Sequence, residues 1–231
     1  MKHLYLFVTV LLFTSSLFAQ EDTMKVALKD VLVTATKYPT EAQHLSSSYS
    51  IIDQQLISQS KAPTVLQLLR NVEGISIAQQ GGLGKLNSLF MRGANANHTL
   101  VLVDGVEVND PSSPSNAFDL SHLQTENIER IEIVRGPQST LYGSDALAGV
   151  INVFTQTGNE VNKLQLRTEG GSNSYYKGSG YFTGSYDIFD YSINFSRLAS
   201  EGISAANEKY GNTEADGYSN NSSLRIFLQT C

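Results

Sequence analysis

The sequence predicts an exported α+β domain, a small mixed sheet with short helices, followed by the first antiparallel strands of an incomplete transmembrane β-barrel. Three observations predict it. A charged start, Met1-Lys2-His3, leads into an apolar run from Leu4 to Leu12 and a small residue, Ala19, before polar chain, which is the layout of a secretory signal peptide. Short β-prone runs separated by turn signals fill residues 48–157. Beyond Gly158 the strands lengthen: Phe189, Tyr191, Ile193 and Phe195 alternate with Asp190, Ser192, Asn194 and Ser196, one face apolar and the other small and polar.

The leader is assigned to residues 1–19. Its apolar run stops at Thr14-Ser15-Ser16, well short of the roughly twenty residues a spanning helix needs. The lone Cys231 is the last residue, so neither a lipoprotein anchor at the cleavage region nor an intrachain disulfide is available. Residues 20–47 follow as a polar segment. Within it Asp30 to Thr36 is a short β-prone run without a local partner, either an edge strand of the next domain or an extended peptide that adds to another protein's sheet.

In the domain at 48–157, Ser50-Ile51-Ile52 reads as a strand. Ala62-Pro63-Thr64 opens a helix through Val65, Leu66, Leu68 and Leu69, with Pro in its first turn and an end near Gly74. Ile75 to Ile77, Leu89 to Arg92, Thr99 to Val103, Ile128 to Val134 and Val150 to Phe154 read as strands, the third closed by the turn signal Asp104-Gly105. From 158 to 231 about four strands follow: Leu164 to Glu169, Tyr175 to Tyr186, the run from Phe189, and Leu224 to Leu228. Gly170 to Ser174 is a compact turn, Asp187-Ile188 a tight one, and Ala199 to Asn221 a long polar loop, matching short periplasmic turns and longer external loops.

Composition removes several function classes. The chain carries 16 Lys and Arg against 22 Asp and Glu, a net charge of -6 with no clustered basic face, so no nucleic-acid partner is expected. Its four His, at 3, 44, 98 and 122, show no metal-ligand spacing, and no nucleophile elbow is present; the chain is read as no enzyme. His98 and His122 read as solvent-facing or hydrogen-bonded structural residues.

Five stretches, taken in this order and spacing, carry a resemblance. They are Phe90-Met91-Arg92-Gly93, Val101-Leu102-Val103-Asp104-Gly105-Val106, Ile131-Glu132-Ile133-Val134-Arg135-Gly136-Pro137, Leu141-Tyr142-Gly143-Ser144-Asp145-Ala146 and Gly149-Val150-Ile151-Asn152-Val153. Together they resemble the plug of the TonB-dependent outer-membrane receptors. The resemblance implies that 48–157 is a plug domain inside a barrel and that 20–47 lies in the periplasm. It implies that Asp30, Val31, Leu32, Val33, Thr34, Ala35 and Thr36 form a TonB box, with TonB as partner and ligand-gated uptake across the outer membrane of a Gram-negative bacterium as the activity. Within the family, the run Gln80 to Leu102, the hairpin Gly171 to Tyr175, and Tyr210-Gly211-Asn212-Thr213 with Asp216-Gly217 are similar to the cobalamin receptors. That implies cobalamin or another corrinoid as ligand, with an iron chelate (siderophore) as the alternative. The stretch Asn109 to Ser115, the second apical plug loop, departs from the cobalamin pattern.

The candidate ligand contacts are Gly82, Leu83, Gly84, Lys85, Leu86 and Asn87 in the first apical loop, with Asn109 and Ser112 in the second. Gly82 and Gly84 let backbone approach a bulky ligand, and Leu83 and Leu86 offer apolar contact. A phosphate cradle does not fit, because Leu86 stands where a P-loop needs Ser or Thr after Gly-Lys. Asn212, Glu214 and Asp216 alternate before Gly217, three oxygen side chains that suit either a solvated loop or a hard cation; the resemblance implies calcium, and no other cofactor is required. Arg92, Arg130, Arg135, Glu129 and Glu132, in or beside strands, are the candidate contacts between plug and wall.

Plugged transporters of this kind have about 22 strands. An incomplete wall leaves unpaired backbone in lipid. The chain is therefore expected to be a fragment that alone neither inserts nor transports. A soluble periplasmic binding module and a surface docking site for other proteins are the rival classes.

Overall fold

The computed structural model describes residues 32–33, 40–41, 47–113, 116–156, 162–186, 189–202 and 217–230. β1 (Leu32–Val33) and β2 (Thr40–Glu41) form a two-residue antiparallel ladder, Leu32 opposite Glu41 and Val33 opposite Thr40. The plug begins at β3 (Ser48–Ile52) and α1 (Gln54–Ser60). Asp53 starts this helix: its Oδ1 accepts the Leu56 amide at 2.8 Å, supplying a partner for one of the donors a helix start leaves open. Lys61, in the left-handed region at φ 52°, ends it.

α2 (Val65–Leu69) spans only five residues and buries Val65, Leu66, Leu68 and Leu69. Pro63 stands one residue ahead of the cap Thr64 rather than inside the first turn, and the helix ends before Gly74. Then come the hairpin of β4 (Ile75–Gln79) and β5 (Asn87–Met91), β6 (Thr99–Val103), β7 (Val106–Glu107), β8 (Ile128–Arg135), α3 (Ser139–Tyr142) and β9 (Gly149–Thr155).

The main sheet runs β3-β8-β9-β6-β7, with β6 and β9 parallel and the other neighbours antiparallel; β4 and β5 form their own two-stranded sheet. A parallel pair inside a mixed sheet is covered on both faces, which explains the unbroken run Thr99-Leu100-Val101-Leu102-Val103. Val101, Val103, Ile131, Ile133, Ile151 and Val153 share the main core with α2 and Ile57, while Leu100, Leu102 and Val150 pack on the other side with Ala146 and Tyr142. At the end of β6, Asp104 takes φ 52° and Gly105 φ 80°. The Asp104 carboxylate then accepts the Thr155 amide (2.8 Å) and hydroxyl (2.7 Å), so the turn also ties down the end of β9.

β10 (Lys163–Gly170), β11 (Tyr176–Tyr186), β12 (Phe189–Ser200) and β13 (Tyr218–Thr230) form a four-stranded antiparallel meander. β12 runs on to Ser200 and β13 starts at Tyr218, so their connection is shorter than the sequence pattern implies. The two faces of this meander settle what kind of sheet it is. Ser179, Thr183, Ser192, Asn194 and Ser196 are buried, whereas Leu164 is 67% exposed, Leu166 68% and Phe195 52%. Burying a Leu or Phe stabilises a water-soluble fold by about 1.5–3 kcal/mol, and a soluble layer would turn those side chains inward. Here the polar face is covered and the apolar face is bare, the polarity of a barrel wall around a wet interior. The chain is a plug domain joined to the first strands of such a wall.

Candidate functional site

The first apical loop closes where the Gln80 amide donates to the Leu86 carbonyl at 3.0 Å, with Gly81 and Gly84 at φ 133° and 72°. Gly82 and Leu86 are exposed, Leu83, Gly84 and Lys85 half-buried, and Asn87 buried. Six of the eight candidate ligand residues thus fall on one hairpin tip. The Gln79 side-chain amide braces it by donating to the Gly82 carbonyl at 2.5 Å. At its far end the Asn87 amide nitrogen donates to the Asp119 carboxylate. That same Asp119 oxygen accepts the Ser121 amide (2.9 Å) and hydroxyl (2.6 Å), and the other oxygen lies 3.6 Å from His122 Nε2. The turn at Leu120–His122 is therefore part of the site.

A wall residue reaches this tip. Tyr218, the first residue of β13, lays its ring against Gly84, where there is no room for a Cβ, and stacks on His122 at a centroid distance of 6.1 Å. Asp119, His122 and Tyr218 were not among the site residues the sequence suggested. Nothing in the sequence pattern joins positions 84, 122 and 218.

Asn109 belongs to the framework of the second loop. It is buried; its Oδ1 accepts the Val101 amide at 2.8 Å, and its nitrogen donates to the Thr99 (3.2 Å) and Asn116 (2.9 Å) carbonyls. Both amide hydrogens are taken by backbone. Ser112 is exposed and engages its neighbour: its hydroxyl (2.7 Å) and amide (2.9 Å) donate to Asp110 Oδ1, holding that carboxyl below its ordinary range.

The charged candidates separate into two groups. Arg130 donates from Nε to the fully buried Glu132 and from Nη1 to Glu129, both at 2.9 Å, and lies 3.8 Å above the Phe154 ring. These three meet one another on the plug's own sheet. Arg135, 5% exposed, donates to the Ser48 (3.3 Å) and Ser50 (2.6 Å) hydroxyls, while its Nε is buried without a hydrogen-bond partner. Burial depresses its pKa, the nearby Arg92 adds to that, and Glu73 opposes it. Arg92 is exposed at φ 51°.

Among the described residues the ion pair that joins plug to wall is Glu126 with Lys177, and the sequence reading named neither. Lys177 Nζ also donates to the Pro63 carbonyl at 3.4 Å. The remaining candidates, Asp30, Val31, Thr34, Ala35 and Thr36 of the TonB box and the oxygen set Asn212, Glu214 and Asp216, lie outside the described residues, as does the leader. Leu32 and Val33 form β1. Among the described residues no cluster of three acidic, His or Cys side chains is placed to hold a metal, and no helix is long and apolar enough to cross a membrane.

Comparison with known proteins gives the same domain. Residues 41–150 match the family model of the TonB-dependent receptor plug domain. The chain is 37% identical over 153 residues to the vitamin B12 transporter BtuB of Vibrio vulnificus (strain CMCP6), covering 66% of this chain and 25% of that protein. Its fold is similar to the ferripyoverdine receptor of the outer membrane of Pseudomonas aeruginosa (TM-score 0.64, 15% identity, 74% of this chain and 23% of that one). It is also similar to the siderophore receptor PiuA of Acinetobacter baumannii (TM-score 0.63, 21% identity, 78% and 24%). The chain spans about a quarter of the length of these relatives.

Proposed function

Since the chain belongs to the TonB-dependent receptors, we propose that it serves TonB-dependent uptake across the outer membrane, with cobalamin or another corrinoid as ligand. The observation that carries the ligand class is the 37% identity over 153 residues to a vitamin B12 transporter. The loop suits a large ligand: exposed backbone at Gly82, apolar contact at Leu83 and Leu86, and a tip fixed at both ends by Gln79 and Asn87. Ligand seated there biases the plug toward a state in which Asp30 to Thr36 is presented to TonB and pairs as an added strand, energy coming from the partner. Asn212, Glu214 and Asp216 are proposed to hold calcium in the external connection, ordering it over the ligand.

Arg92 and Arg135 are proposed as contacts to later wall strands. Two neighbouring guanidinium groups, one nearly buried with an unpartnered Nε, call for acidic counter-charge from the surrounding wall. The proposal is tested by cyanocobalamin uptake in cells that lack their own corrinoid receptor and express these residues within a receptor that has a complete wall. Uptake that depends on TonB and is lost on Val33→Pro supports it, since Pro cannot donate to an added strand. Uptake of a ferric siderophore with no uptake of cyanocobalamin overturns the corrinoid assignment.

A further inference from the structure

We propose that Tyr218 is a positioning residue of the ligand loop, a wall side chain that holds the plug tip in place. The proposal rests on the reading of residues 81–87 as the ligand loop and adds a wall residue to it. Tyr218 is the first residue of β13, directly after the 201–217 connection. It meets the tip at two points. Its ring fills the space beside Gly84, a residue at φ 72°, so the glycine there satisfies two demands at once, a left-handed backbone and a ring in place of a Cβ. Its hydroxyl lies 3.3 Å from His122 Nδ1 and donates to the Ser121 carbonyl at 3.4 Å, while the two rings stack 25° from parallel.

The second point leads back to the loop. Ser121 and His122 share Asp119 with Asn87, so Tyr218 touches the loop's middle directly and its end through one carboxylate. A tip with two left-handed glycines, held by the Gln80–Leu86 bond and a long one from the Lys85 amide to the Gly82 carbonyl (3.4 Å), is soft between its ends. An aromatic ring wedged at its centre, aimed by its hydroxyl, removes that freedom. Because coupling between two sites is reciprocal, whatever ligand gains from an ordered tip is returned as a tighter hold of the tip on Tyr218.

The test uses outer membranes from cells expressing these residues within a receptor that has a complete wall, with cyanocobalamin as probe. Tyr218→Ala weakens binding about tenfold, within the usual ~5–150-fold range of coupled sites, and Tyr218→Phe, which keeps the ring, restores most of it. Gly84→Ala also weakens binding, but combined with Tyr218→Ala it costs less than the product of the two single losses, because the methyl then enters vacated space. Additive losses, or full affinity in Tyr218→Ala, overturn the proposal. A second readout needs no ligand. A Leu83→Cys thiol, its labelling corrected for that of the same protein without it, reacts with a membrane-impermeant maleimide about fivefold faster when Tyr218 is Ala, as expected of a tip released from a few-fold conformational bias. An unchanged rate overturns the proposal. Failure of the unaltered protein to bind cyanocobalamin overturns the corrinoid assignment instead, and the labelling rate then decides the role of Tyr218.

Discussion

Replacing Lys177 by Met tests whether the plug is held to the wall by the ion pair seen here. Lys177 is 3% exposed and Glu126 13%, and the Glu126 Oε2 is buried without a hydrogen-bond partner, so the carboxylate depends on this ammonium for its compensation. Met keeps the aliphatic stem and removes the charge. Breaking a buried pair from one side typically costs about 3–5 kcal/mol, or roughly two to four decades in the ratio of docked to released plug. Adding Glu126→Gln removes the stranded charge, and most of the loss is recovered, since a neutral pair of similar volume carries no such penalty. The assay is hydrogen exchange of the β11 and plug amides as urea is raised, in the complete protein in detergent or native membrane. A Lys177→Met midpoint within about 1 kcal/mol of the parent, the range of solvent-exposed pairs, would refute the reasoning and place water at the seam.

Three further outcomes are expected. Gly149→Ala sets a Cβ against the Val134 carbonyl and the Met91 sulfur at φ 155°, and lowers plug stability by about 3 kcal/mol or more in chemical denaturation. Asn109→Ala leaves the buried Val101 amide without its acceptor and frees two carbonyls; a loss of about 2–3 kcal/mol appears in the same measurement, whereas an unchanged midpoint would mean the second loop is not anchored there. Ser112→Ala returns the Asp110 carboxyl toward its ordinary pKa in an NMR titration. Because the native carboxyl is depressed, its small stabilising contribution is present above the unfolded pKa and fades as pH falls through the native one; no upward shift in the variant would deny the hydroxyl its role.

Much of this architecture was legible in the chain. Period-two alternation identified β12 and assigned its faces, because side-chain direction follows directly from pleating. Asp104-Gly105 announced its turn. Other features depend on contacts far apart in sequence. α1 was missed because only Ile57 is buried and its signal is a single cap, Asp53, ahead of polar residues. α2 came out short because little more than one turn buries Val65, Leu66, Leu68 and Leu69, and the chain must then bend into β4. At the site, glycine spacing pointed to the tip at residues 81–87, but local pattern could not distinguish Asn109 as a backbone clamp from Asn109 as a ligand contact. Nor could it pair Glu126 with Lys177 across 51 positions, or bring Tyr218 to Gly84.

The pairing of the plug sheet also imposes a sequence of events. β3 must wait for β8, some eighty residues on, and β6 for β9, about fifty on, so the stopper stays open until Thr155 has emerged. Contacts this distant are slow to close. Once they are made, the next segment to arrive is β10 and then β11, whose Lys177 seeks an acid already fixed at Glu126. The wall strands set their register from the side through local hairpins, and the finished stopper adds a fixed anchor on their inner face.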